Sequence, residues 1–341
     1  MSVEVTSNNG VKPDDRAAPL LLSAGAVAAA LDRVSLIEAL AAAFRGGCEA
    51  PPRHHHTVPV PGEPDATMLI MPAWRVGDYL GVKLANVFPG NGSHGLSSIQ
   101  ASYLLFSGRT GQVLAIIDGA ELTSRRTAAA SSLAARYLAR PDASRLLIVG
   151  TGQIARHLAA SHAAVRPIRS VEIWGRNPAR AEMLANEIRE AGFEASVATD
   201  LADAVGRADI VSCCTLSREP IVEGRWLRPG VHLDLIGGFT PAMREVDDAV
   251  VALSAVFVDT EAAVKEAGDL VQPLRSGAIA RQSIAGDLAD LASGRHPGRS
   301  AADEITLFKS VGASIEDLAA AILCFERSAR TAGDAHSSFS T

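Results

Sequence analysis

The fold of this chain is decided by residues 145–155, which read RLLIVGTGQIA. The apolar run predicts a buried strand, the glycines a tight turn, and the residues after them the first turn of a helix. Gly150 allows the turn, Gly152 lets backbone approach a pyrophosphate, and the small Ala155 lets the helix pack closely on the strand. Amide groups left free at the helix N-terminus then face the anion. The predicted contacts with a nicotinamide dinucleotide are Gly150, Thr151, Gly152, Gln153 and Ile154.

A second strand, Ser170–Trp174, follows at the distance that such a site requires and indicates which dinucleotide binds. An NAD site usually places a carboxylate at the end of this strand to accept from the ribose 2′-hydroxyl, whereas an Arg suits a 2′-phosphate. Here Gly175-Arg176-Asn177 follows the strand, and the Arg176 guanidinium can pair with a phosphate. A solvated Arg176 ahead of a helix capped by Asn177 is the alternative, and both can hold at once. We therefore predict NADPH as the preferred cofactor, with NADH also accepted, and Arg176 and Asn177 as contacts.

The composition is that of an ordinary globular protein, with 48% hydrophobic and 21% charged residues among 341. A net charge of −6 excludes a broad basic surface for nucleic acid, so local Arg and Lys must hold any anionic ligand. The four cysteines lack metal-ligand spacing, and we expect a reducing, cytoplasmic compartment. No apolar run reaches transmembrane length, so no membrane partner is expected. The polar termini predict disorder at residues 1–17 and 332–341.

The first part of the chain, residues 18–132, has the pattern of a separate domain. It opens with a helix predicted over Ala24–Phe44, and a long helix is expected near its end, over about residues 122–139. Between them lie strand-like segments near residues 67–71, 79–84, 99–106 and 112–117. Short strands separated by Gly, Pro and Asn turns predict an antiparallel sheet or a barrel.

After residue 145 the pattern changes to alternating strands and helices. Strands are expected at residues 145–149, 170–174, 194–197, 209–213, 231–236 and 255–258. This alternation predicts a doubly wound parallel sheet, so the fold class is α/β with a Rossmann domain over residues 133–313. A last helix, over about residues 314–330, is predicted to return to the first domain.

Three basic residues stand out ahead of the nucleotide motif: Arg53, Lys83 and Arg126. Lys83 lies inside an apolar strand, where it either faces solvent or points into a pocket. Arg126 lies near the start of a helix, where the helix dipole disfavours a cation, and a bound anion would resolve that conflict. Cationic groups converging on one pocket would suit a carboxylate substrate, bound bidentately by Arg and as a point charge by Lys.

Three consecutive histidines, His54-His55-His56, invite a metal-site interpretation. Consecutive residues of a strand point to alternating faces, so three neighbours cannot all reach one ion. No Cys or carboxylate cluster accompanies them in the sequence, and we predict no metal site. One of them, with His54 as the candidate, is expected to hydrogen-bond or protonate a substrate, and a solvated loop is expected for the others.

Taken in order, these residues resemble the ornithine cyclodeaminase/mu-crystallin family over nearly the whole chain. The matching segments are Met71-Pro72, Lys83, Pro89-Gly90-Asn91, Asp118-Gly119, Leu122-Thr123, Arg126-Thr127-Ala128-Ala129, Gly150-Thr151-Gly152, Gly237-Gly238, Thr306–Gly312 and Glu316-Asp317. The resemblance implies a homodimer whose first domains associate, with Arg53, Lys83 and Arg126 as contacts to the substrate carboxylate. It also implies that Thr306–Gly312 lies near the nicotinamide. The further cofactor contacts predicted are Asn91, Thr215, Val311 and Gly312.

Two departures from the family pattern indicate which activity to expect. Ornithine cyclodeaminases carry an Asp directly after the Gly-Gly pair and a Glu before a Leu-Met-Pro, and here these positions are Phe239 and Leu69. Neither apolar side chain can take up a proton or pair with an ammonium, which argues against cyclodeamination. The segment Gly238–Asp247 is instead similar to reductases of Δ1-pyrroline-2-carboxylate and Δ1-piperideine-2-carboxylate.

The resemblance therefore implies an NAD(P)H-dependent reductase of cyclic 2-imino acids that forms L-proline and L-pipecolate. The cationic residues would orient the ring against the nicotinamide, which supplies the hydride. The ring nitrogen also needs a proton from solvent or from a nearby acid, and Lys83 and His54–His56 are the candidate acids. Two alternatives stay open: an alanine-type amino-acid dehydrogenase, and a non-catalytic NADPH-dependent binder of the crystallin type.

Overall fold

The structure, a computed structural model, describes residues 18–337. The disorder predicted for residues 1–17 lies outside this range, as does that of residues 338–341. The final helix begins at Ser314 and continues to Ser337 instead of ending near Arg330. Within residues 18–337, no helix combines the length and the apolar character that a membrane crossing needs.

The first part of the chain forms a six-stranded sheet. Its strands are β1 Leu20–Leu22, β2 His54–Val58, β3 Ala66–Arg75, β4 Tyr79–Val87, β5 Ile99–Ser107 and β6 Val113–Asp118. They lie in the order β1-β6-β5-β4-β3-β2 and pair antiparallel, except that β1 runs parallel to β6. Of the two predicted alternatives, the sheet is therefore the one observed. The sequence pattern reveals neither edge strand, because β1 has only three residues and β2 is exposed along its length without apolar alternation.

Four helices are associated with this sheet: α1 Ala24–Ala30, α2 Arg33–Arg45, α3 Gly119–Leu138 and the final helix α11 Ser314–Ser337. The single helix predicted over Ala24–Phe44 is wrong, because the chain turns between α1 and α2. The Asp32 carboxylate accepts a hydrogen bond from the Ser35 backbone N–H at 3.0 Å and so caps the start of α2. A capping residue inside an apolar pattern thus divided one predicted helix into two.

The second part of the chain forms a sheet of eight strands, all parallel. The strands are β7 Arg145–Val149, β8 Ser170–Trp174, β9 Glu194–Val197, β10 Ile210–Cys213, β11 His232–Leu235, β12 Ala255–Val258, β13 Ile284–Asp287 and β14 Thr306–Lys309. Their order is β13-β12-β14-β11-β10-β7-β8-β9. The predicted doubly wound fold is confirmed, and each predicted strand is present. The pattern did not predict β13 and β14, which have four residues each.

The helices of this second part connect its strands in the manner of βαβ units. They are α4 Ala155–Ala163, α5 Pro178–Glu190, α6 Leu201–Arg207, α7 Asp248–Leu253, α8 Glu261–Glu266, α9 Gly268–Ser276 and α10 Leu288–Ser293. Because every strand points the same way, the turns that follow the strands meet at one edge of the sheet. That edge is where an open α/β sheet binds its ligands.

The two sheets share one buried core rather than meeting at a thin linker. Leu318 of α11 packs with Leu40 of α2 and Leu133 of α3, so the final helix does return to the first sheet. Leu288 of α10, which follows β13 of the second sheet, belongs to the same core. The predicted domain boundary at residues 132/133 falls inside α3, which runs without a break from one sheet to the other. The cleft between the sheets is therefore held by continuous packing.

Candidate active site

A groove of about 280 Å³ lies at the carboxyl ends of β7, β8 and β10. The turn after β7 and the turn after β8 form its walls, and the residues after β10 close it. The predicted cofactor residues that line it are Gly150, Thr151, Gly152, Arg176, Asn177 and Thr215. The sequence motif and the fold thus place these residues around one space of the size that part of a dinucleotide needs.

Two glycines of the turn after β7 differ in what surrounds them. Gly150 has φ +127°, and a Cβ there would lie 2.9 Å from the Cys214 carbonyl oxygen, so both conformation and space require glycine. A Cβ at Gly152 would meet nothing within 4 Å, because the backbone there faces the open groove. The turn is tight where the fold needs it and open where a pyrophosphate would approach, and the residues present therefore fit a dinucleotide.

The helix after β8 carries two arginines at its start. Arg176 precedes the cap and Arg180 lies in the first turn, and both line the groove with exposed side chains. Asn177 caps the helix, and its side-chain oxygen accepts from the backbone N–H groups of Ala179 at 3.0 Å and Arg180 at 3.2 Å. No acidic residue lies in this first turn. Cations at a helix N-terminus are unfavourable unless an anion binds there, so this corner of the groove favours a negatively charged ligand.

A second cavity, of about 190 Å³, lies between the two sheets and adjoins the groove at Cys214 and Leu216. It brings together the three basic residues singled out in the sequence, Arg53, Lys83 and Arg126. The rest of its wall is largely apolar and includes Leu69, Met71, Ile99, Ile236 and Phe239. A small molecule with a carboxylate and an apolar body matches this lining.

Lys83 and Arg126 are buried and paired with two carboxylates at the start of α11. The side chain of Lys83 is 4% exposed, which excludes the solvent-facing alternative, and its Nζ lies 2.7 Å from Asp317 Oδ2. Arg126 donates from Nε to Asp317 Oδ1 at 2.8 Å and from Nη1 to Glu316 Oε2 at 2.6 Å. The charge conflict predicted at Arg126 does not arise, because α3 begins at Gly119 and places Arg126 beyond its first turn. The charge of Arg126 is paired instead by the side chains of α11.

Burial controls the protonation of this cluster. It lowers the pKa of Lys83 to about 8, an effect that Asp317 opposes. It raises the pKa of Glu316 to about 7 even though Arg126 opposes the shift. For Asp317 burial also disfavours the charged form, but Arg126 and Lys83 outweigh it, and the pKa is lowered. Lys83 is therefore a cation at neutral pH that can lose its proton within an accessible range.

Arg53 reaches the cavity from the other side, just ahead of β2. Its Nη2 donates to the Gly312 carbonyl oxygen at 2.7 Å and lies 3.6 Å from Glu266 Oε2. The backbone N–H groups of Val311 and Gly312 donate to Asp259 Oδ2, each at 2.7 Å. Arg53 and Asp259 thus fix the turn after β14 from both sides, and this turn forms the wall of the cavity that includes Val311 and Gly312.

Four of the predicted site residues do not take the expected places. His54 is exposed on the outermost strand β2, because strand pairing turns its ring away from the cavity, and it stacks on His56. Asn91 lies in a short 3₁₀ turn and donates from Nδ2 to the Ser97 carbonyl oxygen at 2.7 Å, outside both cavities. Gln153 is exposed and lines neither cavity, and Ile154 lines the second cavity instead of the groove. In the described part of the chain, no three His, Cys, Asp or Glu side chains are grouped as metal ligands.

Comparison with known proteins agrees with this arrangement. The ornithine cyclodeaminase/mu-crystallin family matches residues 19–332. The chain belongs to this family. A Δ1-pyrroline-2-carboxylate reductase of Paracoccus denitrificans is 41% identical over 312 residues, which cover 88% of this chain and 94% of that protein.

Two solved structures of similar proteins have the same fold over most of their length. The Δ1-pyrroline-2-carboxylate reductase of Thermococcus litoralis, in complex with NADH and L-proline, has a TM-score of 0.86 at 33% identity and covers 92% of this chain and 98% of its own. An archaeal alanine dehydrogenase dimer with bound NAD has a TM-score of 0.84 at 29% identity, with 92% and 97% covered.

The carboxylates of this family member are the functional residues that sequence reasoning missed. Glu316 and Asp317 match the family pattern in the sequence, but no role in the site follows from that match alone. The signal that could have found them is their position: two adjacent carboxylates open a helix that is otherwise rich in alanine. Asp259, which holds the turn after β14, follows a four-residue strand and had no such signal.

The two positions where cyclodeaminases of the family carry carboxylates are both in the second cavity. Phe239 and Leu69 line it, and no Asp or Glu side chain is among its lining residues in the described part of the chain. An apolar wall cannot hold the free ammonium of an open-chain diamine, whereas it suits the methylenes of a ring. The apolar lining at Phe239 and Leu69 therefore favours a cyclic substrate over an open-chain diamine, in agreement with the sequence.

Proposed function

We propose that this protein is an NAD(P)H-dependent reductase of cyclic 2-imino acids, converting Δ1-pyrroline-2-carboxylate to L-proline and Δ1-piperideine-2-carboxylate to L-pipecolate. One observation carries the proposal: Arg53, Lys83 and Arg126 line a small, otherwise apolar cavity that adjoins a dinucleotide groove. The relatives in Paracoccus denitrificans and Thermococcus litoralis that are named for the first of these reactions support it.

The substrate carboxylate would lie against the cationic side of the cavity. Arg126 keeps Nη2 outside its two ion pairs, and Arg53 points its guanidinium at the same space. The ring methylenes would then contact Phe239 and Leu69. Such an orientation holds C2 of the ring toward the groove, and orientation of this kind contributes several kcal/mol, on the order of 7 or more in favourable cases.

The bound cofactor supplies the hydride that reduces the C=N bond. The proton for the ring nitrogen would come from Lys83, which lines the second cavity, whereas His54–His56 are exposed on β2 and line neither cavity. Asp317, 2.7 Å from Lys83 Nζ, keeps the ammonium in place and in its charged form at neutral pH. A group whose pKa lies near the working pH is suited to give up a proton and regain it from solvent.

For the cofactor, we propose that NADPH is preferred over NADH. The support is the pair Arg176 and Arg180, which line the groove at a helix start without an acidic residue. A ribose 2′-phosphate would satisfy both guanidinium groups, whereas a 2′-hydroxyl would lack the carboxylate that usually accepts from it. The similar structures contain NADH or NAD, so the preference for NADPH rests on the arginines of this chain alone.

We propose further that the protein is a homodimer joined through the first sheet, with residues 18–132 and 314–330 as its dimerisation domain. The face of this sheet that points away from the helices is apolar and uncovered: Leu21 is 76%, Leu80 37% and Ile116 38% exposed. Leu104 and Phe106 of β5 lie between them on the same face. A continuous apolar face of this kind indicates a protein interface. Analytical sedimentation tests this interface. We expect the wild type to sediment as a dimer and Leu104→Glu as a monomer.

A cytoplasmic location completes the proposal. Its support is the state of the cysteines, since Cys48, Cys213, Cys214 and Cys324 are all free thiols. Cell fractionation with a tagged chain tests this point.

The deciding experiment follows NADPH oxidation by absorbance with each of the two cyclic imines. Pyruvate with ammonia and ornithine with NAD are run alongside. Rapid oxidation with an imine alone supports the proposal. Oxidation with pyruvate and ammonia would support the alanine dehydrogenase alternative, to which the archaeal structure is similar. NADPH binding without turnover in any assay would support a crystallin-type binder.

A further inference from the structure

A group of three charged side chains, here called the inner cluster, lies between the walls of the groove and the second cavity. It consists of Glu245, Asp269 and Lys309, each with no exposed surface. Lys309 Nζ lies 3.1 Å from Asp269 Oδ2 and 3.9 Å from Glu245 Oε2. None of the three lines either cavity, so the inner cluster acts on the site only through neighbouring residues.

Glu245 connects one wall residue of each cavity. Its Oε1 accepts from the Thr215 backbone N–H at 2.7 Å and from the Thr215 hydroxyl at 2.9 Å. Its Oε2 accepts from the Gly237 backbone N–H at 2.8 Å. Thr215 lines the groove and Gly237 lines the second cavity. A single carboxylate therefore sets the distance between the two walls.

The other two members fix Glu245 in place but act in opposite directions on its ionisation. Asp269 Oδ1 accepts from the backbone N–H groups of Glu245 at 2.7 Å and Val246 at 3.1 Å, which fixes the segment that carries the carboxylate. Burial, and to a lesser degree the neighbouring Asp269, raises the pKa of Glu245 to about 7, and Lys309 opposes this shift. The ionised carboxylate accepts best from the three donors that point at it, because it carries no proton of its own.

The two walls are also in direct contact, so a shift of one would move the other. A Cβ at Gly237 would lie 1.8 Å from the Thr215 carbonyl oxygen, which shows how closely the two segments approach. The Glu245 carbonyl oxygen accepts from the backbone N–H groups of Ile221 at 2.8 Å and Val222 at 3.0 Å. The segments after β10 and β11 are thus joined by backbone and by side chain.

We infer that Glu245 is a positioning residue that keeps the cofactor wall at Thr215 and the substrate wall at Gly237–Phe239 in register, with Asp269 and Lys309 holding it in place. The inference rests on the proposed function, because it assigns the two walls to cofactor and imine. Loss of the connection should therefore weaken the binding of both ligands together, although Glu245 touches neither.

Glu245→Gln tests this inference. Glutamine has nearly the same size as glutamate, but its amide NH₂ would face one of the three donors. The wall that carries this donor must then move away. We expect the Kd for NADPH, measured by fluorescence without substrate, and the KM for the imine each to rise on the order of tenfold, as for the loss of a charge-assisted hydrogen bond. The value of kcat should change less. Glu245→Asp, which cannot reach both walls, serves if the Gln variant does not fold.

Asp234→Asn is the matched control. Asp234 is as fully buried, accepts from the Ser212 hydroxyl at 2.6 Å and lines neither cavity. We expect it to lower Tm and to leave both binding constants near those of the wild type. If Glu245→Gln and Glu245→Asp lower Tm but bind NADPH and imine as the wild type does, their role is structural and the inference is wrong. If the wild type reduces no imine, the proposed function fails. The NADPH Kd of Glu245→Gln, compared with that of the wild type, then decides whether Glu245 positions the cofactor wall.

Discussion

The groove and the second cavity both present cations to a ligand, but they are built in different ways. In the groove Arg176 and Arg180 are exposed and form no ion pair with the described residues, and the glycine turn after β7 forms part of the wall. In the second cavity Lys83 and Arg126 are buried and already paired with Glu316 and Asp317. An exposed cation serves only its ligand, whereas a buried one also supports the fold. The same change of charge should therefore have different consequences in the two places.

The largest effect is expected for Arg126→Ala. It leaves two buried carboxylates without their main cation, and breaking a buried pair in this way costs about 3–5 kcal/mol of the free energy of unfolding. The kcat/KM for the imine should fall about 100-fold or more, because the carboxylate contact is lost as well. Denaturant unfolding and steady-state kinetics measure the two effects. A variant of normal stability and activity would show that buried and exposed cations do not differ here.

Phe239→Asp tests the apolar side of the second cavity. A carboxylate there would repel the carboxylate of the substrate and lose contact with its ring, so kcat/KM should fall about tenfold or more. Ammonia release from ornithine should stay absent, since Leu69 still lacks the second carboxylate. Phe239→Leu, which keeps the wall apolar, is the control and should stay within about threefold of the wild type. Equal losses in both variants would mean that shape rather than polarity matters.

The pH dependence of kcat sharpens the comparison for Lys83. Burial lowers the pKa of this group to about 8, so the ammonium is lost as the pH rises through that value. We expect kcat to be level below it and to fall about tenfold per pH unit above it. Lys83→Arg should be slower but without this fall, because a guanidinium keeps its proton. A wild-type profile that stays level to pH 10 would exclude Lys83 as the donor.

The smallest effect is expected in the groove. Arg176→Ala should raise the KM for NADPH by about 3- to 10-fold and leave the KM for NADH and the free energy of unfolding almost unchanged. Arg169→Ala is the matched control, since Arg169 is also exposed but precedes β8 at the opposite end of the strand. If the KM values for both cofactors rise alike, Arg176 does not read the 2′-phosphate.

The same contrast explains what the sequence could predict. The groove is encoded locally, because residues 145–155 contain the strand, the turn and the start of the helix in one stretch. The α/β fold class predicted from this stretch is confirmed. The second cavity is encoded by residues far apart, and the sequence could name Lys83 and Arg126 but not their partners on α11. His54 is exposed on β2 and does not line the second cavity, although its sequence neighbour Arg53 does. Periodicity shows which residues are buried, but only the tertiary fold shows which charges meet.

The position of α11 at the end of the described chain has a consequence for synthesis. The ribosome completes the whole nucleotide-binding sheet before Glu316 and Asp317 emerge. Until then Lys83 and Arg126 have no carboxylates to pair with, and a cavity with two unpaired buried cations is unfavourable. The nascent chain must therefore keep this cleft open or hydrated, and the last helix closes it. A protein cut short before α11 would lack both carboxylates that pair with Lys83 and Arg126, so only molecules with this helix in place should accumulate in active form.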